Sequence, residues 1–348
     1  MTDANRSFEQ QLLDDPQRWL VTGGAGFIGS HIIETLLSLD QEVVCLDNLS
    51  TGKRSNLEAA VSAVTPEQAK RLSVIEGHIA DLSVCEKAVK GVSHVLHHAA
   101  LGSVPLSIED PVETHLSNAT GTFHVFLAAK NAGVRRVVYA SSSAVYGNEP
   151  GLPKQEEMKG GLLSPYAASK AIAEDYAESF ANSYGMEFAG LRYFNVFGPR
   201  QDPSGPYAAV IPIWVETMLS GKPILINGDG ENTRDFVYVK DVVQANLRAA
   251  LAPTIPGGSR VYNVAAGRTT SLKELFSGIS ESLEELRPGT NIAPPVHGEF
   301  REGDVRHSSA DFERARAEIG FTPAYDLQRG LREAMAWYAE NAIHKEEG

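Results

Sequence analysis

Arg18-Trp19-Leu20-Val21-Thr22-Gly23-Gly24-Ala25-Gly26-Phe27-Ile28-Gly29 decides the fold class of this chain. Residues 18–22 form a short, mostly apolar run of the kind that is buried as a strand. Three glycines at 23, 26 and 29 follow at once, and an apolar-striped segment over 30–39 predicts a helix. Strand, glycine turn and helix together make a dinucleotide-binding opening. The first glycine permits the tight turn, the second lets a pyrophosphate approach the backbone, and the third lets helix and strand pack closely. The helix N-terminus then turns its partial positive charge toward the phosphates. Glycine spacing alone would be weak, but its flanks supply the required context.

Outward from this start the pattern repeats. A strand over 42–46 ends in Asp47-Asn48, and an acidic residue there binds the adenosine ribose hydroxyls while repelling a 2′-phosphate. That favours NAD, with Lys53 and Arg54 nearby as the argument for NADP. Further strands are predicted over 72–79, leading to Asp81 near the adenine edge, over 94–100 and over 136–140; a helix is predicted over 118–132. Five such units give an α/β fold, a doubly wound parallel sheet of Rossmann type with a smaller C-terminal α/β lobe. Ligands bind outside the carboxyl ends of such strands, which is where Ser141-Ser142-Ser143 emerge. His94, His97 and His98 invite a metal reading. Adjacent His97 and His98 point to opposite strand faces and no carboxylate accompanies them at ligand spacing, so packed histidines are expected and no metal.

Tyr166 and Lys170 stand four apart in Ser164-Pro165-Tyr166-Ala167-Ala168-Ser169-Lys170, so a helix presents both on one face. An unperturbed tyrosine, with a pKa of about 10, is a poor base at neutral pH, and a neighbouring ammonium favours its phenolate. Such a pair can take a proton from a hydroxyl while a hydride leaves the carbon beneath.

Composition narrows the partners. The chain has 348 residues, 43% hydrophobic and 22% charged, with a net charge of -13, which disfavours nucleic acid and anionic membrane surfaces. Cys45 and Cys85, the only cysteines, provide neither a disulfide framework nor zinc spacing, and suit the reducing cytoplasm. The first 18 residues are polar and acidic, and read as a helical extension rather than a signal peptide or span. Residues 19–195 are expected to form the dinucleotide domain, and 196–348 mainly a substrate lobe with some chain returning to the first.

The glycine run, Ser141-Ser142-Ser143-Ala144-Val145-Tyr146-Gly147, Tyr166 with Lys170, and Leu191-Arg192-Tyr193-Phe194-Asn195-Val196-Phe197-Gly198 resemble the extended short-chain dehydrogenase/reductases. The sequence is most similar to their UDP-hexose 4-epimerases. Gly102-Ser103-Val104-Pro105, Tyr207-Ala208-Ala209-Val210-Ile211-Pro212 and Arg301-Glu302-Gly303-Asp304-Val305-Arg306-His307-Ser308 look like the branch acting on UDP-N-acetylhexosamines and their uronic acids. The resemblance implies Ser142, Tyr166 and Lys170 as catalytic residues. It implies coenzyme contacts from Gly23, Gly26, Phe27, Ile28, Gly29, Asp47, Asn48, Ser50, Thr51, Gly52, Ile79, Ala99, Ala100, Leu101, Asn118, Tyr166, Lys170 and Tyr193. Substrate contacts are implied for Ser103, Ser142, Ser143, Tyr166, Asn195, Ala209, Val210, Ile226, Arg234, Arg301, Asp304 and Ser308. Arg234 and Arg301 would clamp the diphosphate, and Ser308 would leave room for an N-acetyl group. His78 stands where many relatives have an Asp, and Leu106 where the nearest carry a basic residue. The implied activity is NAD-dependent 4-epimerisation of UDP-N-acetylglucosamine and UDP-N-acetylgalactosamine, with UDP-glucose and UDP-galactose as further substrates, for polysaccharide precursor supply by a cytoplasmic homodimer. UDP-N-acetylglucosaminuronic or UDP-glucuronic acid epimerisation is the alternative. An NADP-dependent reductase and a non-catalytic dinucleotide-binding protein are the remaining ones.

Overall fold

The run around Trp19 is an interior strand of a seven-stranded sheet. Its strands are β1 (Arg18–Thr22), β2 (Glu42–Asp47), β3 (Leu72–Glu76), β4 (His94–His97), β5 (Arg136–Ser142), β6 (Glu187–Tyr193) and, from the second half of the chain, one at Ser259–Val264. This computed structural model describes residues 7–203, 208–255, 257–300 and 305–343. Short strands outside the sheet are β7 (Asn195–Phe197), β8 (Leu225–Asn227), β9 (Thr233–Arg234) and β10 (Phe236–Tyr238), so Ser259–Val264 is β11. The sheet order is β11-β6-β5-β4-β1-β2-β3 and every pairing in it is parallel. Strand order reverses between β1 and β4, opening a crevice at their carboxyl ends.

The helices Phe27–Ser38 and Val239–Leu251 cover one face of the sheet, and Gly121–Asn131 with Pro165–Tyr184 cover the other. A third core, around Phe197, Trp214, Ile226, Leu275 and Met335, fills the smaller lobe. The second half returns to the sheet twice, as β11 and as the helix Val239–Leu251. Arg136 fastens that helix: its buried guanidinium donates to the carbonyls of Ala249, Ala250 and Ala252 and pairs with Glu187 at 2.6 Å. These are the unsatisfied carbonyls of a helix C-terminus, so a cation serves both as cap and as dipole partner. The N-terminal helix, Phe8–Asp14, buries only Leu12 against the same core.

Element bounds shift from the sequence pattern where polar loops take over. β3 ends at Glu76 rather than 79, and β4 at His97 rather than 100, because the residues beyond them face the crevice. Asp81 caps the helix Leu82–Ala88 by accepting the Ser83 amide and does not line the cleft that was expected to place adenine beside it. The predicted helix over 118–132 begins as a π-turn, Leu116–Thr120, and becomes α-helical at Gly121. Among the described residues no helix is long and apolar enough to cross a membrane.

The histidines have packing roles. His94 stacks on Trp19 with ring centroids 4.5 Å apart. His97 bridges the hydroxyls of Thr22 and Thr122 at 2.7 and 2.9 Å, while His98 reaches the other face of the sheet, to Asn246 at 3.0 Å. Burial pushes His94 down to about 4 and His97 to about 3. The unfolded chain therefore takes up their protons first. Their contribution is neutral above the ordinary value near 6.5, and stability is lost as pH falls below it. A His94→Phe variant keeps the stacking and removes one titration. Thermal melts at pH 7 and pH 5 should show about 2 kcal/mol less acid destabilisation than the wild type. An unchanged difference between the two pH values would show that His94 charges freely in the fold.

Candidate active site

Gly23 takes a positive φ of +68°, and a side chain there would strike the Ala99 backbone at 2.6 Å. A Cβ on Gly29 would lie 2.2 Å from the Gly23 carbonyl, so only glycine lets the helix Phe27–Ser38 seat against the turn. No side chain caps that helix; its first turn opens into a cleft of about 270 Å³ at the switch point. The cleft is lined by all of Gly23, Gly26, Phe27, Ile28, Gly29, Asp47, Asn48, Ser50, Thr51, Gly52, Ile79, Ala99, Ala100 and Leu101. Free helix-terminal amides and absent side chains make a cradle that fits a dinucleotide pyrophosphate.

Asp47 is fixed for a hydroxyl-rich ligand. Its carboxylate accepts the amides of Ala25 and Leu49 at 2.9 and 2.8 Å, and a Cβ on Gly52 would crowd both its oxygens. Lys53 and Arg54, the residues that spoke for a 2′-phosphate, are committed elsewhere. Lys53 pairs with Asp202 at 2.5 Å and Arg54 with Glu76 at 2.5 Å, and neither lines the cleft. With no cation offered to a 2′-phosphate and a fixed carboxylate in the cleft, the geometry fits NAD. His78 occupies the adenine end, held by Glu113 and Ser117 at 3.3 Å each.

A second cavity, about 420 Å³, adjoins the first at Gly102. Ser142, Ser143, Tyr166, Asn195, Arg234 and Ser308 all line it. β5 runs on through Ser142, which accepts the Ala144 amide and turns the chain into the short 3-10 helix Ser143–Tyr146. The helix Pro165–Tyr184 is capped by Ser164 and opened by Pro165, so Tyr166 lies in its first turn at the cavity mouth. Lys170 lies one turn below, buried, with its ammonium 5.8 Å from the Tyr166 ring centre and hydrogen-bonded to the Ala140 carbonyl at 2.9 Å. Burial drives both groups toward their neutral forms: Lys170 falls to about 8, and Tyr166 rises, opposed only by a hydrogen bond with Ser142. In this state the Tyr166 phenol is hydrogen-bonded with Ser142, and Lys170 acts on it as a charge 5.8 Å from the ring centre.

A third cavity, about 340 Å³, shares Asn195 and Arg234 with the second and adds Ala209 and Val210. The three join end to end, so one trench runs from the glycine turn past Tyr166 into the smaller lobe. Several predicted contacts lie behind its walls. Asn118, at the π-turn, accepts the Leu101 amide at 2.8 Å and donates to the Leu101 carbonyl and Ser169 at 3.0 and 3.1 Å, tying the crevice wall to the catalytic helix. Tyr193 lines the second cavity rather than the first. Ser103 caps the helix Val104–Glu109 by accepting the Leu106 amide, and Ile226 is buried in the lobe core; neither lines the trench. Arg301 and Asp304 lie outside the described residues. Sequence reasoning missed Lys154, Tyr146 and Gln201 in the walls, since only chain returning from residues 307–311 brings Lys154 there.

Residues 19–265 match the model of the NAD dependent epimerase/dehydratase family. A UDP-glucose 4-epimerase of Mycolicibacterium smegmatis is 38% identical, covering 92% of this chain and 98% of its own. A solved UDP-N-acetylglucosamine 4-epimerase of Methanobrevibacter ruminantium, in complex with UDP-N-acetylmuramic acid, has a TM-score of 0.85 at 39% identity over 94% of this chain and 99% of its own. The UDP-glucose 4-epimerase of Thermus thermophilus with NAD has a TM-score of 0.79 at 36% identity, over 92% and 99%. The chain belongs to the NAD dependent epimerase/dehydratase family, within the extended short-chain dehydrogenase/reductases of UDP-hexose 4-epimerase type.

Proposed function

We propose that the protein is an NAD-dependent 4-epimerase of UDP-N-acetylhexosamines, acting also on UDP-glucose and UDP-galactose. Ser308 carries the reading: a small hydroxyl side chain in the wall of the sugar cavity leaves space and a hydrogen-bond partner for an N-acetyl group. In this reading Tyr166 takes the proton of the 4-hydroxyl, and Ser142 hydrogen-bonds the same oxygen. Bound NAD supplies reversible acceptance of the C4 hydride. The resulting 4-ketone turns over about its diphosphate linkage, and proton and hydride return with the opposite configuration, so nothing is consumed. Arg234 would hold the diphosphate at the junction of the second and third cavities, with Arg301 as its partner.

Lys154 favours a second reading. Its side chain is 6% exposed, lines the sugar cavity, and has as its one hydrogen-bond acceptor among the described residues the Glu149 carbonyl. Burial lowers its pKa, and the Glu149 carboxylate opposes that only through its field, with no ion pair between them. A sugar carboxylate would satisfy it, so the uronic acid forms of the same UDP-sugars are the alternative substrates.

The helices Val104–Glu109 and Pro111–His115 display Ile108, Val112 and Leu116, four apart and respectively 64%, 76% and 41% exposed. We infer that this stripe, beside Tyr176, covers its counterpart in a homodimer.

Proton NMR of purified protein with UDP-N-acetylglucosamine, UDP-glucose and their uronic acids, without added NAD, should show interconversion of the C4 configurations. Tyr166→Phe should slow it by about a thousandfold or more; near-normal turnover would end the assignment. Lys154→Met should raise KM for the uronic acids about tenfold while sparing the neutral sugars. Equal effects on both would refute the carboxylate role. Sedimentation should find a dimer that Val112→Asp converts to monomer, whereas a monomeric wild type would dispose of the interface.

A further inference from the structure

Asn246, on the helix Val239–Leu251, is fully buried and lines no cavity, yet it holds a wall of two of them. Its Nδ2 donates to the Val242 carbonyl and to the Tyr193 hydroxyl, each at 2.8 Å, and its Oδ1 faces His98 Nε2 at 3.0 Å. A carbonyl can only accept, so Val242 fixes which way the amide points. It follows that His98 carries its proton on Nε2. The Tyr193 oxygen accepts from Asn246, which leaves the tyrosine hydrogen for a further acceptor. The two rings lie parallel within 8°, their centroids 6.0 Å apart. His98 lines the dinucleotide cleft and Tyr193 the sugar cavity. One side-chain amide therefore sets the spacing across the boundary between coenzyme and sugar.

We propose that Asn246 is a positioning residue which, through His98 and Tyr193, holds the coenzyme cleft and the sugar cavity in register and keeps the two hydride transfers of each turnover coupled. The proposal rests on the 4-epimerase reading. In a redox-neutral cycle the hydride must return to the same ketone. A wall free to shift by an ångström would let the ketone settle out of reach or leave, stranding the coenzyme in its reduced form. The surroundings suit a fixed, uncharged wall. Lys170 is the cation whose field reaches His98, and burial keeps the imidazole neutral, pushed to about 4. Tyr193 is likewise held as the phenol, its pKa raised by burial.

Asn246→Leu keeps the volume and removes all three bonds; Tyr193→Phe keeps the ring and removes only the hydroxyl. The full-length protein, purified with its own coenzyme, is incubated with UDP-N-acetylglucosamine, and absorbance at 340 nm reports the coenzyme left reduced. Each single variant should raise that fraction about fivefold, the worth of one hydrogen bond. Each should lower kcat with KM within about twofold, and the double variant should match Asn246→Leu alone, which already removes the Tyr193 bond. Independently of turnover, the His98 Nε2 proton should be seen as a slowly exchanging 15N-coupled signal in the wild type and be lost in Asn246→Leu. A variant that melts earlier but keeps the wild-type reduced fraction and kcat would overturn the proposal, as would additive effects in the double variant. Should Asn246→Leu fail to fold, Tyr193→Phe decides alone, and an unchanged reduced fraction there refutes the role. A wild type that epimerises no UDP-sugar but shows the protected His98 proton would bring down the 4-epimerase reading and the coupling role with it, leaving the hydrogen-bond chain as architecture.

Discussion

Burial of a phenol and an ammonium in one place is the constraint around which this molecule is arranged. Removing water from Tyr166 and Lys170 favours their neutral forms, as the fall of Lys170 to about 8 and the rise of Tyr166 both report. A catalytic base cannot work from there unless charge is supplied. The protein spends Lys170 on the Ala140 carbonyl, at the end of β5, and brings Ser142 from the same strand to the phenol. Lys170, still protonated at neutral pH, leaves one positive charge a turn below the phenol, and an oxidised nicotinamide held in the adjoining cleft would add a second.

That arrangement needs chain from both halves of the sequence. The parallel sheet delivers the glycine turn, Asp47 and Ser142 to one edge, as any doubly wound sheet does. It cannot close the trench by itself. β11, the helix Val239–Leu251 and the segment around Ala310 return to do so, the last through a parallel bridge with Lys154 and the bond from the Lys154 amide to the Ser309 carbonyl at 2.8 Å. Thr233 is bridged to His307 in the same way, which sets Arg234 and Ser308 on opposite strands of one small platform. The site is consequently as stable as the docking of the lobe onto the sheet, and Arg136, binding three helix-terminal carbonyls, is a chief fastener of that docking.

What could be read from the sequence divides along the same line. Glycine spacing, strand period and the Tyr166–Lys170 interval are local, and they suffice to lay out the sheet, the cleft and the helix that carries Tyr166. Of the residues expected at the cleft between Gly23 and Leu101, all but Asp81 line it. Failures of the local reading occur where a side chain's partner is remote. Asn118 was expected to touch the coenzyme. It is instead a clamp between Leu101 and Ser169, because a π-turn rotates it inward. Ser103 is drawn into capping its own helix. Lys53 and Arg54 carried the right charge for a 2′-phosphate but are claimed by Asp202 and Glu76, a fact no pattern over residues 47–54 contains. Lys154 and Asn246 gave no signal, since each matters through chain remote in sequence, as Asn246 does with Tyr193 and His98, 53 and 148 residues away.

The trench also divides its interactions unevenly, and the chemistry requires it. A sugar that must present both faces to one phenol cannot be gripped by many directed bonds, because each would have to be broken at every turnover at roughly 1 kcal/mol apiece. The second cavity meets this with small and neutral groups, Gly102, Ser142, Ser143, Ala144 and Ser308, which leave about 420 Å³ in which a pyranose can rotate. Tenacity is displaced to the far end, where Asn195 and Arg234 stand between the second and third cavities and an arginine can hold a diphosphate through two parallel bonds. With a net charge of -13 the protein as a whole repels such a ligand, so the cation has to be local and partly withdrawn from water. A loose grip on the reacting ring and a firm one on the diphosphate side thus follow from one demand, that the ketone turn over without departing.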